Sequence, residues 1–202
     1  MIMIPGLRKF ALTAHVISSV GWLGAVAGFL ALAVAGMTSQ DVLMVRAAYL
    51  AMELTTRFVI VPLAFVSLLS GIVSSLFTRW GLFRYYWVLM KLLITVLATI
   101  VLLLYMQTLS YLAGVAAETT LSSGDLLRLR NPSPVAHAVA ALLLLLVATT
   151  LSVYKPQGMT RYGQRKQYEQ RQDVAAGEAA TDQAQGIVHE LEGNGVHAAA
   201  FK

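Results

Sequence analysis

Two ionisable residues lie inside apolar runs of this chain, and their types and spacing give them the best claim to chemistry. His15 falls in the run 10–34 and Lys91 in the run 86–113. Such groups are costly in hydrocarbon and are paired or functional by default. His15 admits two readings. It is a neutral imidazole hydrogen-bonded to a serine or a neighbouring helix, or it is an axial metal ligand or proton-handling group, because imidazole ligates metals and titrates near neutrality. Lys91 either snorkels its ammonium to the headgroups along its four-carbon stem or turns inward to an anionic group such as a propionate, a quinone oxygen or a phosphate.

Helical spacing groups further residues with these two. His15, Ser18, Ser19 and Trp22 share one face of the first run, and Trp87, Lys91, Thr95, Ala98, Leu102 and Tyr105 form a stripe on the third. Both runs start from the same side, so His15 and Lys91 lie at similar depth. Together His15, Lys91, Trp22, Trp87, Ser19 and Thr95 form the candidate cofactor site, with His15 as its metal ligand. A separate group gathers at the opposite face. Glu53 and Arg57 are four apart, in the favourable order for a helical ion pair, and His137 opens the fourth run. Depth separates His137 from His15, so one haem does not bridge them; the group reads as a second site or as a solvated surface cluster. Gly21, Gly24 and Gly28 line a stripe that lets a neighbouring helix, a second copy or a flat cofactor approach closely.

The elements that must position these residues are four long apolar runs, 10–34, 58–77, 86–113 and 135–154. Each is close to the roughly 20 residues that a helix needs to cross about 30 Å of hydrocarbon. The chain is 57% hydrophobic and only 12% charged, with a mean hydropathy of +0.68. Soluble domains carry about 25% charged residues, so much of this surface must face lipid. The first run is too long for the core of a cleaved signal peptide and reads as a retained helix. Basic residues alternate between the two sides. Arg8, Lys9, Arg79, Arg84, Lys155, Arg161, Arg165, Lys166 and Arg171 fall on one side, and Arg46, Arg57, Arg128 and Arg130 on the other. The positive-inside rule then places both termini in the cytoplasm. Trp80, Tyr85, Tyr86 and Trp87 suit an interfacial aromatic belt.

The expected fold is all-α: an integral membrane four-helix bundle over 1–155, with helices near 8–36, 41–77, 85–114 and 134–154. Unbroken, 41–77 exceeds the membrane, so the helix either protrudes or kinks near Pro62, where the proline ring removes a backbone bond; an outer amphipathic arm leading into the second helix is the favoured reading. Ser39 is expected to cap the helix starting near Asp41, and Ser133 the one beginning at Pro134. The segment 156–202 is expected to be a polar cytoplasmic tail, helical at most over 164–172 and otherwise disordered; His189 and His197 lie in it and are given no role. Its basic start can rest on anionic headgroups.

Several functions are excluded. The chain has no cysteine, so disulfides, thiolate metal sites and cysteine nucleophiles are ruled out. It shows no glycine-rich phosphate loop, HExxH pair or acidic metal cluster. Carboxylates are scarce in the spans, against a carboxylate-driven pump. The basic residues follow membrane topology, so no nucleic-acid partner is expected.

The stretch His15-Val-Ile-Ser-Ser-Val-Gly-Trp22-Leu-Gly24 resembles the first-helix pattern of a loose group of small bacterial membrane proteins. The group includes copper-resistance D-type proteins, HemJ-type protoporphyrinogen oxidases and uncharacterised four-span families, the last being the nearest in pattern. The resemblance continues at Arg57, Gly71 and Trp87-Val-Leu-Met-Lys91-Leu, covering roughly 8–112. It implies a bacterial cytoplasmic-membrane bundle with a polar site shared by the first and third spans, haem b as cofactor, His15 as axial ligand and Lys91 as a propionate or substrate contact. Two departures stand out: 25–35 is bland where a basic residue and aromatics are usual, and the eight methionines are scattered. The leading expectation is thus a haem- or porphyrin-binding redox protein. A non-enzymatic accessory protein, packing as a homodimer or on a partner subunit through the glycine stripe, is the alternative. Copper or small-solute transport is third.

Overall fold

In the computed structural model, residues 5–76, 85–118, 120, 122–154 and 158–199 are described, with side chains given only as far as 186 in the last segment. Phe77, Arg79, Trp80, Arg84 and Lys155, as well as the side chains of Arg8, His189 and His197, lie outside that description. The helices are α1 (Pro5–Thr38), α2 (Val42–Thr55), a π-helical turn (Thr56–Ile60), α3 (Val61–Leu76), α4 (Tyr86–Ala117), α5 (Ser123–Leu129), α6 (Ser133–Tyr154) and α7 (Arg161–Ala199). Four helical segments are long and apolar enough to cross a membrane: Lys9–Thr38, Val42–Leu76, Tyr86–Ala117 and Ser123–Tyr154. Large apolar side chains on their outer faces, such as Phe58 (68% exposed) and Leu104 (67% exposed), are the groups that lipid covers. This is a multi-pass membrane protein built as an all-α bundle.

The second span is where the structure adds most to the sequence. α2, the π turn and α3 run on as one helix of 35 residues, about 52 Å at 1.5 Å per residue. Val45, Ala48, Tyr49 and Met52 are buried, so α2 packs in the bundle, against α1 and α4, rather than lying as a surface arm. The backbone irregularity sits just before Pro62. The Val61 N–H bonds back to the Thr56 carbonyl, five residues earlier, which is the wider turn that accommodates a proline ring without breaking the helix.

Helix ends follow local side chains. Asp41, not Ser39, caps α2: its Oδ1 accepts from Leu43 N at 3.0 Å, while Ser39 Oγ accepts from Asp41 N at 3.1 Å. Ser122 and Asp125 form a reciprocal capping box on α5, a short helix in the connection between the third and fourth expected helices. Before α6, Asn131 Oδ1 accepts from Ser133 N at 2.9 Å. That leaves Ser133 inside the first turn rather than capping it.

The core joins Trp22, Val26, Phe29 and Ala33 of α1 to Tyr49 and Met52 of α2, Leu109 of α4, Leu129 of α5 and Leu145 of α6. Its seals at the loop end are side chain to backbone. Tyr49 donates to the Leu129 carbonyl, Arg46 to the Glu118 carbonyl, and Arg130 Nη2 to the Ser39 carbonyl at 3.2 Å.

Residues Met159–Lys202 form a second unit. The short helix expected over 164–172 continues to Ala199. Nearly every described side chain on α7 is exposed, so no apolar core is present among the described residues of this unit, in line with its composition. Its ion pairs are surface pairs, Arg165–Glu169 at 3.2 Å and Lys166–Glu169 at 3.7 Å, each of small worth.

Candidate functional site

His15 lies half-buried on α1 and turns toward the second span. Its Nδ1 donates to the Ser67 carbonyl at 3.0 Å, with Ser70 Oγ at 3.4 Å from the same nitrogen. A carbonyl only accepts, so the proton sits on Nδ1 and the neutral ring keeps its Nε2 lone pair. One turn on, Ser19 Oγ and Ser67 Oγ are 2.7 Å apart, and Ser18 Oγ returns a bond to the His15 carbonyl at 3.1 Å. Gly71 makes room for the ring. A Cβ there would stand 3.0 Å from His15 Cε1 and 3.3 Å from Nδ1.

The polar seam therefore joins the first and second spans, whereas the sequence pattern pairs the first with the third. Ser67, Ser70 and Gly71 were the partners to find. Their signal is a three- and four-residue spacing of small polar positions, continued to Ser74, inside an otherwise apolar span.

Lys91 contributes from the third span. It is half-buried and within electrostatic range of the His15 ring. Its Nζ stands 6.0 Å from the Trp87 ring centroid, at the outer limit of a cation–π contact. Thr95 Oγ1 donates back to the Lys91 carbonyl at 2.6 Å and so serves its own helix.

Trp22 departs from this group. It is 2% exposed and lines a cavity of about 100 Å³ with Thr56, Tyr105 and His137. His137 stacks on Tyr105, with ring centroids 3.9 Å apart and planes at 19°, and its Nδ1 donates to the Ser133 carbonyl at 2.9 Å. Among the described residues, His15 and His137 share no hydrogen-bond partner. Glu53 and Arg57 form no ion pair there either. The π turn begins at Thr56, between them.

The glycine stripe divides. A Cβ on Gly21 would touch Leu63 Cδ1 at 3.4 Å, whereas Gly24 and Gly28 have nothing within 4 Å of that position. Another close approach inside the bundle is at Gly36, where a Cβ would stand 3.4 Å from Ala48 and Tyr49 atoms. Among the described residues, no cluster of three or more His, Cys, Asp or Glu could hold a metal ion; an axial haem ligand needs only one. No protein-family profile, curated protein or solved structure matches the chain.

Proposed function

We propose that this membrane protein binds haem b or a porphyrin for redox chemistry, with His15 as axial ligand in the half of the bundle nearest the N-terminus. One observation carries the reading: the His15 Nδ1 proton is committed to the Ser67 carbonyl, which leaves Nε2 for a metal. Ligating histidines are held in this way, the second nitrogen fixing the tautomer and the ring orientation. Lys91 supplies a cation close enough to interact with the ring and suited to a propionate. Ser19 and Ser67 hold the seam behind the imidazole. Haem b, when bound, supplies one-electron transfer. The chain's own part is to ligate it, balance its charge and keep water away.

On this reading both termini are cytoplasmic, and the protein resides in a bacterial inner membrane. The basic residues that bracket the N-terminal end of the bundle support that orientation. The test is haem content, measured as the pyridine haemochrome of detergent-purified protein expressed with ample haem. Close to one haem per chain is expected, with loss in His15→Ala. A haem-free wild-type protein under those conditions overturns the proposal.

A second reading has its own support. Gly24, Gly28 and Ala31 are exposed on α1, and the two glycines are unfilled by any other helix of the chain. Taken over the described residues alone, that face suits a second copy or a partner subunit in an accessory role. It predicts association in detergent that Gly24→Leu abolishes.

A further inference from the structure

Thr56 presents a polar atom with no hydrogen-bond partner. It is 2% exposed, and its Oγ1 is bonded to nothing among the described residues. Threonines in apolar helices ordinarily return this hydroxyl to a carbonyl one turn back, as Thr95, Thr99 and Thr149 do here at 2.6–2.8 Å. Thr56 does not, and it opens the π turn. Helical irregularities of this kind are frequent at functional sites. A buried hydroxyl without a partner is destabilising, a cost that a bound ligand would remove.

The surroundings of Thr56 define what would fit. The cavity is lined by the Trp22 indole, by the Phe29 ring, by Tyr105 and His137, which stack face to face, and otherwise, besides Thr56, by small or aliphatic groups such as Ala141 and Leu144. No lysine, arginine or carboxylate lines it, so the occupant is neutral. The volume of about 100 Å³ admits one six-membered ring, whereas a tetrapyrrole is several times larger. Val101 is 42% exposed and Ala140 is exposed. Both line the cavity, so it opens between α4 and α6 on the lipid-facing surface.

We propose that this cavity binds the head ring of a lipid-borne quinone, with the Thr56 hydroxyl donating to a ring carbonyl and the apolar tail leaving between α4 and α6 into the bilayer. A flat, neutral, oxygen-bearing ring matches the aromatic wall, the single buried hydroxyl and the lateral mouth together. The assignment does not rest on haem at His15.

The experiment is a titration of the full chain, in lipid nanodiscs, with a decyl-tailed dimethylbenzoquinone, following tryptophan fluorescence. Saturable quenching is expected, and Trp22→Phe should remove the quenched component. Thr56→Val, which keeps shape and removes the hydroxyl, should weaken saturation about tenfold. Thr56→Ser should bind like the wild type, and Ala141→Phe should fill the site and abolish saturation. Non-saturable quenching, or identical curves for wild type, Thr56→Val and Ala141→Phe, overturns the site. If the untailed dimethylbenzoquinone binds as tightly as the tailed form, the lipid-borne assignment is overturned.

Discussion

Gly71 controls whether His15 keeps its place between the first two spans. A methyl at residue 71 would meet the imidazole at 3.0 Å, so Gly71→Ala must push the ring or separate the helices. Overpacking of this kind costs about 1–3 kcal/mol, and a lowered thermal midpoint in detergent checks it. Gly24→Ala is the matched control. Nothing stands within 4 Å of its Cβ position, so helix propensity should leave stability unchanged or raise it by about 0.5–1 kcal/mol. His15 and Lys91 were legible in the sequence because ionisable groups are rare inside apolar runs. Their surroundings were harder to read. Ser67, Ser70 and Gly71 are small residues of a kind common in membrane helices, and only packing shows that the Ser67 carbonyl, the Ser70 hydroxyl and the space at Gly71 meet His15.

At the scale of elements, one tyrosine ties two helices together. Tyr49 of α2 is 1% exposed and donates to the Leu129 carbonyl at the end of α5. Burial, with Tyr105 nearby, leaves no better use for that hydroxyl. Tyr49→Phe should therefore cost about 1–2 kcal/mol, since it strands a buried carbonyl, and faster amide exchange near Leu129 should accompany the loss. The four spans could be drawn from length and hydropathy alone. The π turn could not, because a shift from four- to five-residue hydrogen bonding is written in no residue type; Pro62 marks only its neighbourhood. Two departures from the sequence pattern lie beside that turn: Glu53 and Arg57 do not pair, and Thr56 keeps an unbonded hydroxyl.

For the whole molecule, orientation and chemistry remain to be joined by experiment. The absence of cysteine makes single-cysteine labelling clean. Arg128→Cys should react with a membrane-impermeant maleimide on intact cells, and Arg171→Cys only after permeabilisation; the reverse pattern would invert the topology. Trypsin should cut first within α7, where Arg165 and Lys166 are exposed, because a polar helix without a packed face opens locally at low cost. The all-α bundle was written in composition and run length. The polar tail's lack of a core was equally plain, although its helical backbone was not, since composition reports burial better than local conformation. The most direct test of the account is the dithionite-reduced minus oxidised absorbance spectrum of purified wild-type and His15→Ala protein. A Soret band with sharp reduced α and β bands in the wild type, lost in His15→Ala, is the predicted result. A wild-type spectrum without a Soret band, or one that His15→Ala leaves intact, would contradict it.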